Sequence, residues 1–358
     1  MPDMTRGDSM RRSLLVAGVV VVGFVAGMAC SGSSGSGSAT RPSAVATLDP
    51  RTATPLDRLI AAYADPKLDP SADAWRSLLA DEGFDTKQVS VVEFVRLRAD
   101  AGASANYDAY LDALTPAIVK AGGETISVND TLFPGLEGLE GYEGGVSWVA
   151  NFPSIHAYVN AILDESVVAA ADKRRAAIVE AQVLAGPDLL PDVIKKFGPN
   201  TPASDFPSDH VTGKSASQIV DDVLKVYPSG GADPTRQALE AMATFKGFAD
   251  QRVGYINLYR FNSDPAGGAV ALGEYNAKAA PVALAHGARP KVLANVTHHL
   301  VGPTDWSRFV FVTWPSLAVF TDLRLDPTYV DAQKERVVSA EQYGNLITIA
   351  RKDRVAAP

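Results

Sequence analysis

After about residue 55, apolar positions recur with a period near 3.6 in some stretches and of 2 in others, which predicts helices interleaved with strands. A helical stretch over Ala72–Glu82 runs into Gly83, a residue suited to cap it. The run Val89–Leu97, rich in Val and Phe, predicts a strand. Tyr107–Ala121 predicts a helix stopped by Gly122. Glu124–Phe133 and Val146–Phe152 predict two strands. Pro153-Ser154 then opens a helical stretch with Ser154 as its N-cap, and a strand near Gln182–Ala185 ends the series. The same order returns as Thr235–Lys246, Val253–Phe261, Val270–His286, Lys291–Val301 and Arg308–Trp314, then a helix opened by Ser316 and a strand over Asn345–Ala350.

The return is a duplication. With residues 56–98 laid over 220–262 at a shift of 164, Asp57, Tyr63, Asp69, Pro70, Ala74, Gly83, Phe84, Val89 and Arg96 meet identical residues. Farther on, Tyr110, Pro116 and Gly122 answer to Tyr275, Pro281 and Gly287, and Pro153, Ser154, Asp164 and Arg174 to Pro315, Ser316, Asp326 and Arg336. Loops changed length while the elements kept theirs, as expected of a repeated structural unit. Each copy reads strand–helix–strand–strand–helix–strand, the ferredoxin-like order. The predicted fold class is therefore α+β, with two tandem ferredoxin-like (βαββαβ) domains. The first spans 55–185 with helices before its first strand, a linker occupies 186–212, and the second spans 213–358.

Asn257-Leu258-Tyr259-Arg260-Phe261, Asp305-Trp306, Trp314-Pro315-Ser316, Phe320, Asp326-Pro327-Thr328-Tyr329 and Arg336 together resemble domain-of-unknown-function family 1330, a branch of the dimeric α+β barrel superfamily. The likeness covers about 100 residues per copy. The first copy departs from it, with Glu93 in place of Asn257, Gly144 near Trp306, and Glu165 in place of Pro327. Such domains pair sheet to sheet as dimers. The resemblance thus implies an intramolecular α+β barrel and a monomer with pseudo-dimeric repeats, and it carries no agreed activity.

Residues 1–54 read differently. Arg11 and Arg12 precede an apolar run from Leu14 to Ala29, shorter than the roughly 20 residues of a membrane span and suited to a signal peptide. The run ends at Met28-Ala29-Cys30, with Gly27 three places before the Cys, and a Gly/Ser tract follows. This resembles a bacterial lipoprotein signal over residues 1–30, which implies lipidation at Cys30. An uncleaved N-terminal anchor is the alternative. Residues 31–54 are too poor in apolar residues to fold and predict a tether. Either reading exports the domains and anchors them to the outer face of the cell membrane. Arg11-Arg12 also resembles a twin-arginine export signal beside the ordinary secretory one.

Composition narrows the function. The chain is 46% hydrophobic and carries a net charge of −8 without a basic stripe, which argues against nucleic acid as a partner. The single cysteine excludes an intramolecular disulfide and structural Cys-type metal sites. No Gly-x-Ser-x-Gly, Ser-x-x-Lys or His-Glu-x-x-His pattern occurs. No cofactor or metal is expected.

Alternation sorts the first strands into faces. Val91, Glu93, Val95 and Leu97 oppose Val92, Phe94 and Arg96, while Tyr255, Asn257, Tyr259 and Phe261 oppose Ile256, Leu258 and Arg260. The more polar set is assigned to the barrel interior, where Glu93 is either a general base or the partner of an Arg or Tyr across the interface of the copies. His298 and His299 are adjacent, so they face opposite sides and do not share one metal, though one of them could line the barrel. The ligand-binding candidates are Glu93, Tyr255, Asn257, Tyr259, His298 and His299. The Gly/Glu-rich loop at 135–145 predicts a flexible, solvated hairpin, and Arg96, Arg260, Arg174 and Arg336 predict salt links or helix-end contacts that serve the fold. The leading function is an envelope module that binds a small apolar or amphipathic ligand, or a protein, through its barrel. An α+β barrel enzyme (a cofactor-poor oxygenase or isomerase) and a structural scaffold are the alternatives.

Overall fold

The computed structural model describes residues 53–134, 139, 141–190, 203–227, 235–262 and 264–351. The signal, Cys30, the tether to Thr52, most of the predicted linker and the tip of the loop at 135–145 lie outside these residues.

In the first half, helices α1 (Pro55–Ala62) and α2 (Ala72–Leu79) precede β1 (Val89–Leu97), α3 (Ala103–Lys120), β2 (Glu124–Pro134), β3 (Val146–Phe152), α4 (Ile155–Ile162), α5 (Glu165–Ala177) and β4 (Ile178–Pro187). The second half repeats the order. Helices α6 (Ala216–Val226) and α7 (Arg236–Ala243) lead to β5 (Val253–Phe261), α8 (Pro265–Ala285), β6 (Arg289–Asn295), β7 (His298–Val301), β8 (Arg308–Trp314), α9 (Leu317–Leu325), α10 (Pro327–Ser339) and β9 (Ala340–Ala350).

Local chemistry sets most of these ends. Ser154 and Ser316 each accept a hydrogen bond from the backbone three residues on, Ala157 N at 3.1 Å and Val319 N at 3.2 Å, as an N-cap requires. Gly122 and Gly287 end α3 and α8 at φ +80°, a conformation that costs a residue with a Cβ. Gly83 and Gly247 do not act this way. Their helices already stop at Ala80 and Thr244, a turn before the predicted ends.

The strands form one antiparallel sheet in the order β6-β8-β5-β9-β2-β3-β1-β4-β7. The predicted strand at 291–301 is broken into β6 and β7 by Val296 and Thr297 alone, so both ends of the order belong to one run of chain. The row of strands therefore returns on itself. β2 crosses the boundary at one seam by pairing with β9, and β7 crosses at the other by pairing with β4. At the second seam a Cβ on Gly186 would lie 1.6 Å from the Asn295 carbonyl oxygen, so only glycine fits there.

Two kinds of core result. The inward face is filled by Val92, Phe94, Val149, Leu184, Ile256, Leu258, Val292, Phe309, Phe311 and Leu346, contributed by strands of both halves. Leu139, Tyr142 and Trp306 join them from the loops. The outward face of each half packs beneath its own helices, α3 and α5 in the first and α8 and α10 in the second. The described part of the 135–145 loop is thus only partly solvated, with Glu143 and Gly144 exposed. Leu139 and Tyr142 sit three residues apart with both side chains buried, and Gly141 and Gly144 take positive φ in the turn around them.

Candidate functional site

Strand alternation was read correctly and its faces inverted. The set holding Glu93, Tyr255, Asn257 and Tyr259 lies under the helices, while Val92, Phe94, Ile256 and Leu258 fill the inward core. The physical reason is that eight runs of strand close on the inward face, which leaves no room or partner for charge. The helices bring arginines to the outward one.

Glu93 shows this directly. It is 2% exposed and accepts from Arg174 Nε at 3.0 Å and Tyr107 OH at 3.0 Å, both within its own half rather than across an interface. Arg174 also donates to Asp69 Oδ1 at 2.8 Å and to the Leu68 carbonyl at 3.0 Å. Arg175 reaches the other Asp69 oxygen at 3.1 Å. Two buried carboxylates are thus balanced by the buried Arg174 and the partly exposed Arg175, which is how buried charge is tolerated. Burial, reinforced by the Glu93 charge, pushes the Tyr107 hydroxyl well above its ordinary pKa, so it stays a neutral donor.

The second half keeps the arginine and changes what surrounds it. At matched positions Glu93 becomes Asn257, Val183 becomes Asn345, Tyr107 becomes Leu272 and Trp148 becomes Val310. The strand register agrees with this alignment, since Glu93 lies between Val183 and Trp148 where Asn257 lies between Asn345 and Val310. Val91, Val95, Val167 and Ala181 become Tyr255, Tyr259, Tyr329 and Tyr343.

Arg336 is 4% exposed within this tyrosine layer. Among the described residues no carboxylate lies within ion-pair distance of it. Its Nη1 donates to Gln333 Oε1 at 3.2 Å, and its guanidinium stands 4.8 Å from the Tyr343 ring centre and 5.9 Å from that of Tyr259. Its Nε has no partner. That is the atom by which Arg174 holds Glu93. Beside it in the sheet, Asn345 is fully buried with both its amide nitrogen and its amide oxygen unpartnered. A second buried arginine, Arg324, leaves Nε and Nη2 unpartnered and stacks 4.6 Å from the Tyr227 ring centre. Burial pushes the Tyr255 hydroxyl up to about 12, with Arg324 and Arg336 pulling the other way.

This layer is also more open. Asn257, Val310 and Val312 are half-buried where Glu93, Trp148 and Ala150 are buried. Exchanging Trp148 for Val310 removes most of a side chain directly beside Asn257.

Of the six candidates, Tyr255, Asn257 and Tyr259 come together here, and Glu93 does not join them. His298 is buried, its Nε2 3.0 Å from Asp81 Oδ2 of the first half, and burial lowers its pKa despite that partner. His299 is exposed, its Nε2 2.7 Å from the Trp306 carbonyl oxygen. Neither meets Asn257 or Tyr259. Among the described residues no group of three or more His, Cys, Asp or Glu side chains could hold a metal ion. The sequence pattern assigns Arg336 to the fold and does not point to Arg324 or Asn345. The available signal was an arginine retained in both copies while its acid, Glu93, was not.

No protein-family model matches the chain, and no curated protein matches it. Solved structures share parts of its architecture. A protein of unknown function from Rhodopseudomonas palustris is 21% identical and covers 36% of this chain and 100% of its own, with a TM-score of 0.31. A candidate monooxygenase from Fusobacterium nucleatum subsp. nucleatum is 7% identical over 75% of this chain and 94% of its own, with a TM-score of 0.42. A mutant chlorite dismutase from Candidatus Nitrospira defluvii is 11% identical over 78% of this chain and 95% of its own, with a TM-score of 0.39. The fold described above, α+β with one large antiparallel sheet, rests on strand order and register rather than on these likenesses.

Proposed function

We propose that the chain is a binding module that takes a small amphipathic molecule between the sheet and helices α8 and α10 of its second half. The observation that carries this is the set of unpartnered polar atoms on Arg336 and Asn345, in the layer where Asn257 and Val310 are only half-buried. Buried polar groups without partners cost about 1–3 kcal/mol each, so a ligand that satisfies them gains that energy on binding. The filled inward core directs the site away from the barrel interior favoured by the sequence. In this reading the halves are two tandem ferredoxin-like repeats, akin to domain-of-unknown-function family 1330, closed into an intramolecular barrel. The module is exported, held at the outer face of the membrane through lipid on Cys30, and monomeric.

The second reading is an enzyme of the α+β barrel type, a cofactor-poor oxygenase or isomerase acting in the same layer. What favours it is the Tyr255 hydroxyl in the field of two guanidiniums, which would stabilise an oxyanion forming on a bound substrate.

Native mass spectrometry of the full chain, extracted from its membrane in mild detergent, tests the binding reading. A small-molecule mass on a monomer, lost in Val310→Trp, is expected. A bare chain contradicts it.

A further inference from the structure

The first half shows what the second half is built to hold. In the first, a carboxylate completes the layer: Glu93 takes the Nε–H of Arg174 and, among the described residues, is the only side chain that does so. In the second, the corresponding Nε–H of Arg336 points into a layer whose strand position carries Asn257, an uncharged and shorter side chain. Asn345 replaces Val183 next to it and adds an unpartnered amide, with two N–H donors and one acceptor. One half is closed by its own acid. The other presents the donors and lacks the acid.

Resting on the binding reading above, we propose that the ligand is an organic carboxylate whose headgroup occupies in the second half the place that Glu93 fills in the first. Arg336 Nε and the Asn345 amide donate to the two carboxylate oxygens, and Asn257 leaves the space for them. The apolar body of the ligand lies over Val310 and Val312, where Trp148 and Ala150 close the first half. A buried guanidinium without an acid partner, beside neutral donors, selects a charged acceptor over a neutral one of the same shape, because hydrogen bonds to charged groups are the stronger class.

The inference makes Asn257 a specificity residue. Asn257→Glu would supply from within the chain the carboxylate that the ligand brings. The test uses the full chain with phenylacetate and octanoate as probes, each beside its primary amide, and reads affinity by calorimetry and stability by thermal melting. Wild type is expected to bind at least one of the acids about tenfold or more tighter than its amide, the ratio given by one charge-assisted hydrogen bond. Asn257→Glu is expected to lose acid binding by a similar factor and to melt at a higher temperature than wild type. Asn345→Val, which restores the residue of the first half and removes one of the two donors, is expected to weaken acid binding, and keeps the test open should Asn257→Glu misfold. Equal affinity for acids and amides, or acid binding that survives both substitutions, overturns the carboxylate and leaves a neutral-ligand module standing. A wild type that binds no acid also overturns it, and with a bare native mass spectrum the binding reading falls too.

Discussion

Arg174 and Arg336 stand at matched places in the two halves and meet opposite surroundings. Arg174 lies among two carboxylates and a second arginine, in a layer where Glu93, Trp148 and Tyr107 leave no opening. Arg336 lies among tyrosines, in a layer that also holds two asparagines and a half-buried valine. The scaffold is shared, down to Tyr63 and Tyr227 donating to the carbonyls of Ile162 and Arg324 at 2.7 and 2.9 Å. A few substitutions on one face separate a charge-balanced layer from one whose arginine has no acid partner among the described residues.

The comparison breaks most easily at the arginines. Arg174→Met strands the buried Glu93 and leaves Asp69 with Arg175 alone, and is expected to cost about 3–5 kcal/mol in urea denaturation, whereas Arg336→Met removes a cation with no acid partner and is expected to fall within about 1 kcal/mol of wild type. Equal losses would erase the distinction between the layers. Next in size, Val310→Trp restores the bulk of the first half and is expected to weaken binding of phenylacetate or octanoate about tenfold or more, read by calorimetry, with the sheet intact by circular dichroism. A smaller effect concerns His286, which stands where the first half has Ala121. Burial opposes its charge, but hydrogen bonds to Asp322 and to the Val282 carbonyl raise its pKa above 6.5. The stability it contributes is therefore complete below the unfolded value of 6.5 and is lost as pH rises through the higher folded value. The gap in stability between wild type and His286→Asn should be widest below that pH and narrow above it. A gap that widens as pH rises would contradict the assignment. Smallest of all, Arg96–Glu180 and Arg260–Glu341, each 3.0 Å long and partly exposed, should each contribute no more than about 1 kcal/mol when either arginine is changed to Ala.

Much of the architecture was legible in the sequence because it depends on local chemistry. The N-caps at Ser154 and Ser316, the stops at Gly122 and Gly287, and the period-2 runs of β1 and β5 act within a few residues of themselves. The break between β6 and β7 was not legible, because it arises where one run of chain must serve two partner strands, β8 and β4. The faces of β1 and β5 inverted for a related reason. Polarity alone shows which residues share a side, and only the closed sheet decides that Glu93 meets α5 rather than the interior. Half of the site was visible in Tyr255, Asn257 and Tyr259. Arg336 was seen and assigned to the fold because it recurs, and what gives it a different role is the loss of its partner across the sheet. The described residues hold no helix long and apolar enough to cross a membrane.

The central claim is that the two arginines differ in what they accept, and side-chain NMR of the full chain labelled with ¹⁵N-arginine reads both at once. On titration with phenylacetate and octanoate, the Nε–H resonance of Arg336 is expected to shift with one of the acids and remain still with its amide, while that of Arg174, already bonded to Glu93, does not move. An unmoved Arg336, or a shift at Arg174 instead, would contradict the account.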